Sequence, residues 1–385
     1  MGPLTRVLVV TNDFPPRQGG IQTFVAALLD RVPAADLAVL ASTSSGAAEH
    51  DATLPYRVVR ARTSMLLPTP GTARAARELA LDHGAQTVVF GAAAPLGLLA
   101  PGLRRAGVTH SIGITHGHET GWVAVPGGRQ LMQRIASGLD VVTYISRYTH
   151  DRLAPALASR TAMTQLSPGV DVDRFHPGVD GSEVRAEHGL GEAPVVVCVS
   201  RLVPRKGQDV LLAGWPQVLA RHPGARLLLV GSGPLEGELR RRVAADAGLQ
   251  RSVVLTGGVD PSRLPAHYAA GDVFAMPCRT RRAGLDVEGL GMVFLEAAAC
   301  ARPVVAGTSG GAPEAVRDGV SGHVVDPRSP GQVAATIADL LDDPVRSRAM
   351  GAAGRAWVEQ RWSWTTIAAG FQGLLAGQRE ADEDA

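Results

Sequence analysis

Lysine is nearly missing from this sequence: of its 38 basic residues only Lys206 is not arginine. A lone ammonium among guanidinia marks a site where a compact point charge fits and a planar fork does not. Aromatic residues are sparse at 4%. The three cysteines, Cys198, Cys278 and Cys300, are odd in number and have no CxxC spacing, which excludes a disulfide framework and a zinc-finger type of site. Reduced, cytosolic thiols are expected. No strong charge of one sign exists either, since the net is only +2, and nucleic acid is not an expected partner. The longest uncharged stretch, Gly84 to Leu103, is broken by Pro95 and Pro101, so a spanning helix is not expected. Arg6 runs straight into the apolar Val7 to Val10 without the charged region, long apolar core and cleavage site of a signal peptide. Any membrane contact should be peripheral.

What is present suits two soluble domains. At 385 residues, 45% hydrophobic and 19% charged, the chain is too long for one core and has ordinary globular composition. Residues 1–165 carry 15 Arg against 10 acidic residues, while the remainder is slightly acidic. Such a basic half suits an anionic membrane surface or an anionic substrate, or is simply a solvated face. Short β-branched or leucine-rich runs alternate with helical segments, which predicts parallel sheets covered by helices. The first series is Val7 to Val10, Leu37 to Ala41, Val88 to Phe90, Ser111 to Thr115 and Val141 to Ile145. The second is Val195 to Val199, Leu227 to Val230, Val253 to Thr256, Val273 to Met276, Pro303 to Ala306 and Gly322 to Val325. Periodicity stops at Leu166 to Phe175, where Pro168 and Gly169 mark the junction. The expected division is therefore 1–168 and 169–365, with a C-terminal helix over 366–385 packing back on the first domain. Trp357 to Leu375 reads as helical, and Glu380 to Ala385 as a frayed acidic end. In such α/β folds, ligands bind at the loops leaving the C-terminal ends of the strands, here in a cleft between the two domains.

The most informative loop runs from Arg279 to Glu296, after one strand and into a helix. It frames Gly289 and Gly291 with two acids in an E-x7-E pattern. Backbone N–H groups at Gly291, Met292 and Val293 can approach an anion or a sugar hydroxyl, with the positive end of the helix dipole aimed there. Glu296, one turn inside the helix, can accept both hydroxyls of a ribose, and Glu288 at the loop tip can reach a sugar. A second loop, Ser200 to Gly207, presents Arg201 and Lys206, two cations able to neutralise a diphosphate without a metal ion. Gly231-Ser232-Gly233 lacks the third glycine of a dinucleotide fingerprint and reads as a tight turn near the nucleotide. The backbone of Val259 could meet a base.

In the first half, the loop after the first strand places Gly19 and Gly20 at a helix start, a potential phosphate cradle. Asn12, Asp13 and Gln22 nearby suit a polyhydroxylated acceptor. Thr115 to Glu119 ends another strand with His116, His118 and Glu119, too few ligands for a metal. An imidazole there can hold a sugar hydroxyl. Asp171-Val172-Asp173 has the form of a metal-holding DxD but lies in the junction and is taken as linker.

These residues resemble the GT4 family of GT-B retaining glycosyltransferases over essentially the whole chain. Gly19-Gly20, the R-x4-K pair Arg201 and Lys206, Glu288 to Glu296 and Ala306 to Glu314 occur in the family's order. Thr11 to Gln22, Thr115 to Trp122 and Asp286 to Glu296 look like the branch that moves mannose from GDP-mannose to the inositol 6-position of a phosphatidylinositol mannoside at the cytoplasmic membrane face. The resemblance implies a GT-B fold of two Rossmann-like domains and no cofactor or metal. It also implies a sugar nucleotide and a phosphoinositide glycolipid as partners. By carry-over, Arg201 and Lys206 hold the diphosphate, Glu296 the ribose, Glu288 and His116 the mannose, and Val259 the guanine. Two positions depart from the pattern: Arg282-Ala283 stands where small residues are usual, and Ala301 replaces the glycine of an A-C-G-x-P run. A relative using UDP-glucose or UDP-N-acetylglucosamine would share these motifs, and so would a sugar-nucleotide epimerase or a non-catalytic nucleotide-binding module. Arg57, Arg60, Arg62, Arg74 and Arg77, mixed with Met65-Leu66-Leu67, predict docking on an anionic membrane.

Overall fold

Val7–Thr11 and Val195–Val199 are buried at every position, as strands must be when helices cover both faces of a parallel sheet. The structure is a computed structural model and describes residues 5–157 and 161–378. Its first sheet contains β1 (Val7–Thr11), β2 (Leu37–Ser42), β3 (Arg57–Ala61), β4 (Thr87–Phe90), β5 (His110–Gly113), β6 (Val141–Tyr144) and β7 (Ala162–Gln165). Their order is β3-β2-β1-β4-β5-β6-β7. The second sheet contains β8 (Val195–Val199), β9 (Arg226–Val230), β10 (Val253–Gly257), β11 (Val273–Met276), β12 (Val304–Gly307) and β13 (Gly322–Val325), in the order β10-β9-β8-β11-β12-β13. All strand pairs are parallel. In each sheet the winding reverses beside the first strand, between β1 and β4 and between β8 and β11. Loops leaving such a pair part from one another and open a ligand crevice.

Two strands are absent from the sequence reading. β3, Arg-Val-Val-Arg-Ala, and β7, Ala-Met-Thr-Gln, lie at the two edges of the first sheet and are mostly half-buried. An edge strand has one neighbour and needs no continuous apolar run, so composition does not reveal it. The interior strands fall within a residue or two of expectation.

The described residues up to Pro168, together with 365–378, form one unit, and Gly169–Trp364 form the other. The Thr87 hydroxyl donates to the Leu375 carbonyl at 3.3 Å, and Gln372 Nε2 to the Arg31 carbonyl at 3.2 Å, joining the C-terminal helix to the first unit. Residues 379–385, including the acidic end, lie outside the described residues. The continuous helix expected over Trp357 to Leu375 is two helices, Pro344–Arg361 and Trp364–Leu375. The backbone breaks because Val170 N–H donates to Trp362 O (2.7 Å) and Val170 O accepts from Trp364 N–H (3.2 Å). Pairing with a distant residue overrides a helical pattern there. Elsewhere local chemistry sets the ends: the Thr69 hydroxyl accepts from Thr72 N–H, Pro70 opens the helix Pro70–His83, and Gly84 closes it in the left-handed region at φ 66°.

The three cysteines are buried and unpaired, and burial first of all pushes each thiol up to about 12. They are inert packing groups.

Candidate active site

In the second unit Lys206 and Glu288 meet beside the reversal between β8 and β11, whereas Val259 follows the edge strand β10. A 3-10 turn, Pro204–Lys206, follows β8 and carries Lys206 inward. Its Nζ lies 2.6 Å from Glu288 Oε2, and both side chains are buried. Arg205 Nε stands 3.8 Å from the same oxygen, and Arg205 Nη1 is 3.5 Å from Asp286 Oδ1. Arg201 is exposed, and its guanidinium has no partner among the described residues. Gln208 Nε2 donates to Ser200 Oγ (2.7 Å) and to the Arg201 carbonyl (3.1 Å), bracing the loop beneath that guanidinium. The Gly231-Ser232-Gly233 turn braces it from the other side, through Leu202 N–H to Ser232 O at 2.9 Å.

Glu288 is fixed by its backbone as well. Its N–H donates to Ser309 Oγ at 3.1 Å, and its carbonyl accepts from Gly311 N–H at 3.0 Å. Gly310 between them sits at φ +55°, and a Cβ there would lie 2.0 Å from the Glu288 oxygen. Only glycine permits that approach. The loop after β12 therefore clamps the loop after β11.

Gly291, at φ +88°, precedes the helix Met292–Ala299, and no side chain caps that end. The amides of Met292 and Val293 lie in its first turn, where N–H groups lack helical partners and favour an anion. In the second turn Glu296 accepts from Tyr268 Oη at 2.6 Å through Oε2. Burial raises its pKa; the Tyr268 hydrogen bond, then Arg174 and Lys206, oppose this. Val259 follows β10 and rests half-buried against the core.

The first unit gathers its own groups about the reversal between β1 and β4. Gly19 precedes the helix Gly20–Leu29, again without a side-chain cap, and Gln22 Nε2 donates to Asp13 Oδ1 at 2.8 Å. Asn12 holds the backbone of Leu66 at both ends, Nδ2 to Leu66 O (3.0 Å) and Leu66 N–H to Oδ1 (2.6 Å). Its amide thus anchors the segment after β3, a use that the sequence reading did not include. His116 Nε2 bonds the Gly91 carbonyl at 2.6 Å, which sets the proton on Nε2 and leaves Nδ1 as an acceptor in the neutral ring. Burial is the main cause of its lowered pKa, which keeps the ring neutral. The His116 N–H donates to Glu119 Oε2 at 3.0 Å, and His118 Nε2 is 3.6 Å from Oε1 of that buried carboxylate.

Comparison with known proteins agrees with both units. A family model described as "Glycosyltransferase Family 4" matches residues 18–174, and one described as "Glycosyl transferases group 1" matches 193–343. The chain is 50% identical over 97% of its length, and 99% of the relative's, to the GDP-mannose-dependent alpha-(1-6)-phosphatidylinositol monomannoside mannosyltransferase of Mycolicibacterium smegmatis. The chain belongs to glycosyltransferase family 4. A second relative of this glycosyltransferase, the GDP-mannose-dependent monoacylated alpha-(1-6)-phosphatidylinositol monomannoside mannosyltransferase of Corynebacterium glutamicum, is 46% identical over 98% of the chain and 100% of its own. Among solved structures, Anabaena Alr3699/HepE in complex with UDP matches with a TM-score of 0.80 at 19% identity, over 97% of this chain and all of that one. The glycosyltransferase has the GT-B class of fold, built from two Rossmann-like units.

Several groups in the glycosyltransferase's candidate site are not evident from its sequence. Tyr268 lies in a different helix from Glu296 and belongs to no motif. Ser309 lies inside the segment Ala306 to Glu314, but nothing local shows that its hydroxyl takes the Glu288 N–H. Arg205 and Asp286 lie inside the segments Ser200 to Gly207 and Asp286 to Glu296, and their pairing is a tertiary event. Ala301 adopts φ +54°, a left-handed conformation natural to glycine, which explains why a glycine is usual at that position. Arg282 is likewise left-handed at φ +49°.

Proposed function

We propose that this glycosyltransferase moves mannose from GDP-mannose to the inositol 6-hydroxyl of a phosphatidylinositol mannoside, with retention at the anomeric carbon and without a metal ion. The observation that carries the reading is the near-complete alignment, at about half identity, with enzymes bearing that name. The geometry of the second unit supports a donor site of this kind. Arg201 is a free guanidinium, Lys206 an ammonium pre-positioned by Glu288, and the Met292 and Val293 amides add the helix dipole; together they suit a diphosphate leaving group. In this proposal Glu296 receives the ribose, Glu288 the mannose and the Val259 backbone the guanine.

The bond from the anomeric carbon to the β-phosphate oxygen breaks as the acceptor oxygen bonds to the same face. The departing phosphate takes the acceptor's proton. Glu288, facing Lys206, is given a binding role and not that of a covalent nucleophile. On the first unit, Asp13, Gln22 and His118 are the proposed acceptor-binding groups, Gly19 and Gly20 the phosphate cradle, and His116 Nδ1 an acceptor for a sugar hydroxyl. Asn12 is proposed to serve the acceptor through the loop it anchors.

The acceptor is a lipid, and among the described residues no helix is long and apolar enough to cross a membrane. We assign docking to one surface of the first unit, placing the enzyme on the inner face of the cell membrane. Met65, Leu67 and Leu81 are 60%, 49% and 56% exposed, and Arg62, Arg74 and Arg77 are exposed near them in sequence. Arg57 and Arg60 are engaged with Asp82 and Asp51 instead. Incubating the enzyme with a panel of sugar nucleotides and a membrane lipid extract, and determining product linkage and anomer by NMR, tests the reaction. An α-(1-6)-linked mannolipid formed from GDP-mannose is expected; transfer only from UDP-glucose, or donor turnover without acceptor, would sink it. Binding to vesicles containing phosphatidylinositol should weaken when Arg62, Arg74 and Arg77 are changed to Glu, and unchanged sedimentation would remove the docking surface.

A further inference from the structure

Tyr268 lies on the short helix Leu264–Ala270, and its ring is fully buried between Phe175 (5.8 Å) and Phe274 (5.7 Å). Its one side-chain polar atom donates to Glu296 Oε2 at 2.6 Å, across 28 residues of sequence. Glu296 Oε1 has no hydrogen-bond partner among the described residues. A carboxylate oxygen accepts more than one hydrogen bond, so the phenol occupies one site on Oε2 and leaves the rest of the group open. The buried phenol's own pKa is driven well above 10, first by burial and then by Glu296, so it remains a donor at any working pH. Around Glu296 the other influences are the cations Arg174 and Lys206, while the neighbouring Cys300 and Cys198 thiols are pushed up to about 12 and carry no charge.

We propose that Tyr268 is a positioning residue for the donor nucleotide: its hydroxyl fixes Oε2 of Glu296 so that the carboxylate presents its open lone pairs to the two ribose hydroxyls. The inference rests on the proposed ribose role of Glu296. Without the phenol the side chain can rotate, and the carboxylate loses the hydrogen bond that favours its charged form against burial. Ring packing alone would have been met by phenylalanine; the hydroxyl is the group that needs a functional account.

The test is Tyr268→Phe, which keeps the ring. KM and kcat are measured with GDP-mannose and with its 2′,3′-dideoxyribose analogue, and melting temperature checks the fold. Loss of a charge-assisted hydrogen bond should raise KM for GDP-mannose about tenfold, with little change in kcat and little change in KM for the analogue. The acid limb of kcat/KM should move to higher pH, because protonation of Glu296 becomes easier. In a Glu296→Gln background the same substitution should leave the ratio of the two KM values unaltered. Equal loss with both donors, or an unmoved acid limb with a normal KM, overturns the positioning role while leaving ribose recognition intact. If the unaltered enzyme does not distinguish the two donors, the ribose reading fails and the Tyr268 role fails with it.

Discussion

The two sheets place their first, second and fourth strands in the same order about the reversal point, yet the loops at that point carry opposite kinds of chemistry. In the second unit they carry charge: Lys206 against Glu288, with Arg205 and Asp286 beside them. In the first they carry groups that hydrogen-bond in fixed directions, the Gln22 amide donating to the Asp13 carboxylate and a neutral imidazole at His116. Topology decides where a ligand can sit, and loop sequence decides which ligand. A diphosphate needs cations held in advance, whereas a hydroxylated ligand needs donors and acceptors of fixed direction.

The sharpest way to break this contrast is Lys206→Ala. It removes the ammonium and leaves buried Glu288 with only the more distant Arg205 beside it, so turnover of GDP-mannose should fall by about 100- to 1000-fold through kcat. A rate close to normal would show that the second site does not work by charge. Ser309→Ala tests the clamp on Glu288: a buried N–H left without an acceptor costs about 1–3 kcal/mol. Urea unfolding should show that loss, and an unchanged midpoint would mean that the loop after β12 does not hold the loop after β11.

Two smaller effects sharpen the comparison. Ala301→Gly relieves a left-handed alanine and should raise stability by about 1 kcal/mol, measured by the same unfolding curves, with activity unchanged. For His116, burial lowers the pKa below its ordinary 6.5. The unfolded chain therefore takes up the proton first as pH falls. The native preference for the neutral ring costs nothing well above 6.5, and destabilisation grows below it until the folded value is passed. His116→Gln should flatten the fall in unfolding midpoint between about pH 7.5 and 5.5, and an identical slope would show that the ring is not kept neutral.

Much of the fold was legible because interior parallel strands are apolar on both faces, as in Val195–Val199 and Val273–Met276. β3 and β7 were not, since edge strands tolerate Arg57, Arg60 and Gln165. Within the candidate site, Arg201, Lys206, Glu288 and Glu296 could be singled out because a loop between strand and helix confines them to short motifs. Tyr268 could not, because its significance lies in a partner on another helix.

By itself, the sequence determined the chemical inventory: a single lysine beside arginines, two acids framing a glycine turn, and apolar runs spaced for two wound sheets. Those are local properties, carried by residue type and short spacing. Tertiary structure alone decided that Lys206 meets Glu288, that Ser309 and Gly311 grip the backbone of Glu288, and that a buried phenol hydrogen-bonds Glu296. Each of these contacts joins segments brought together only when separate strands enter one sheet, so no spacing along the chain encodes it.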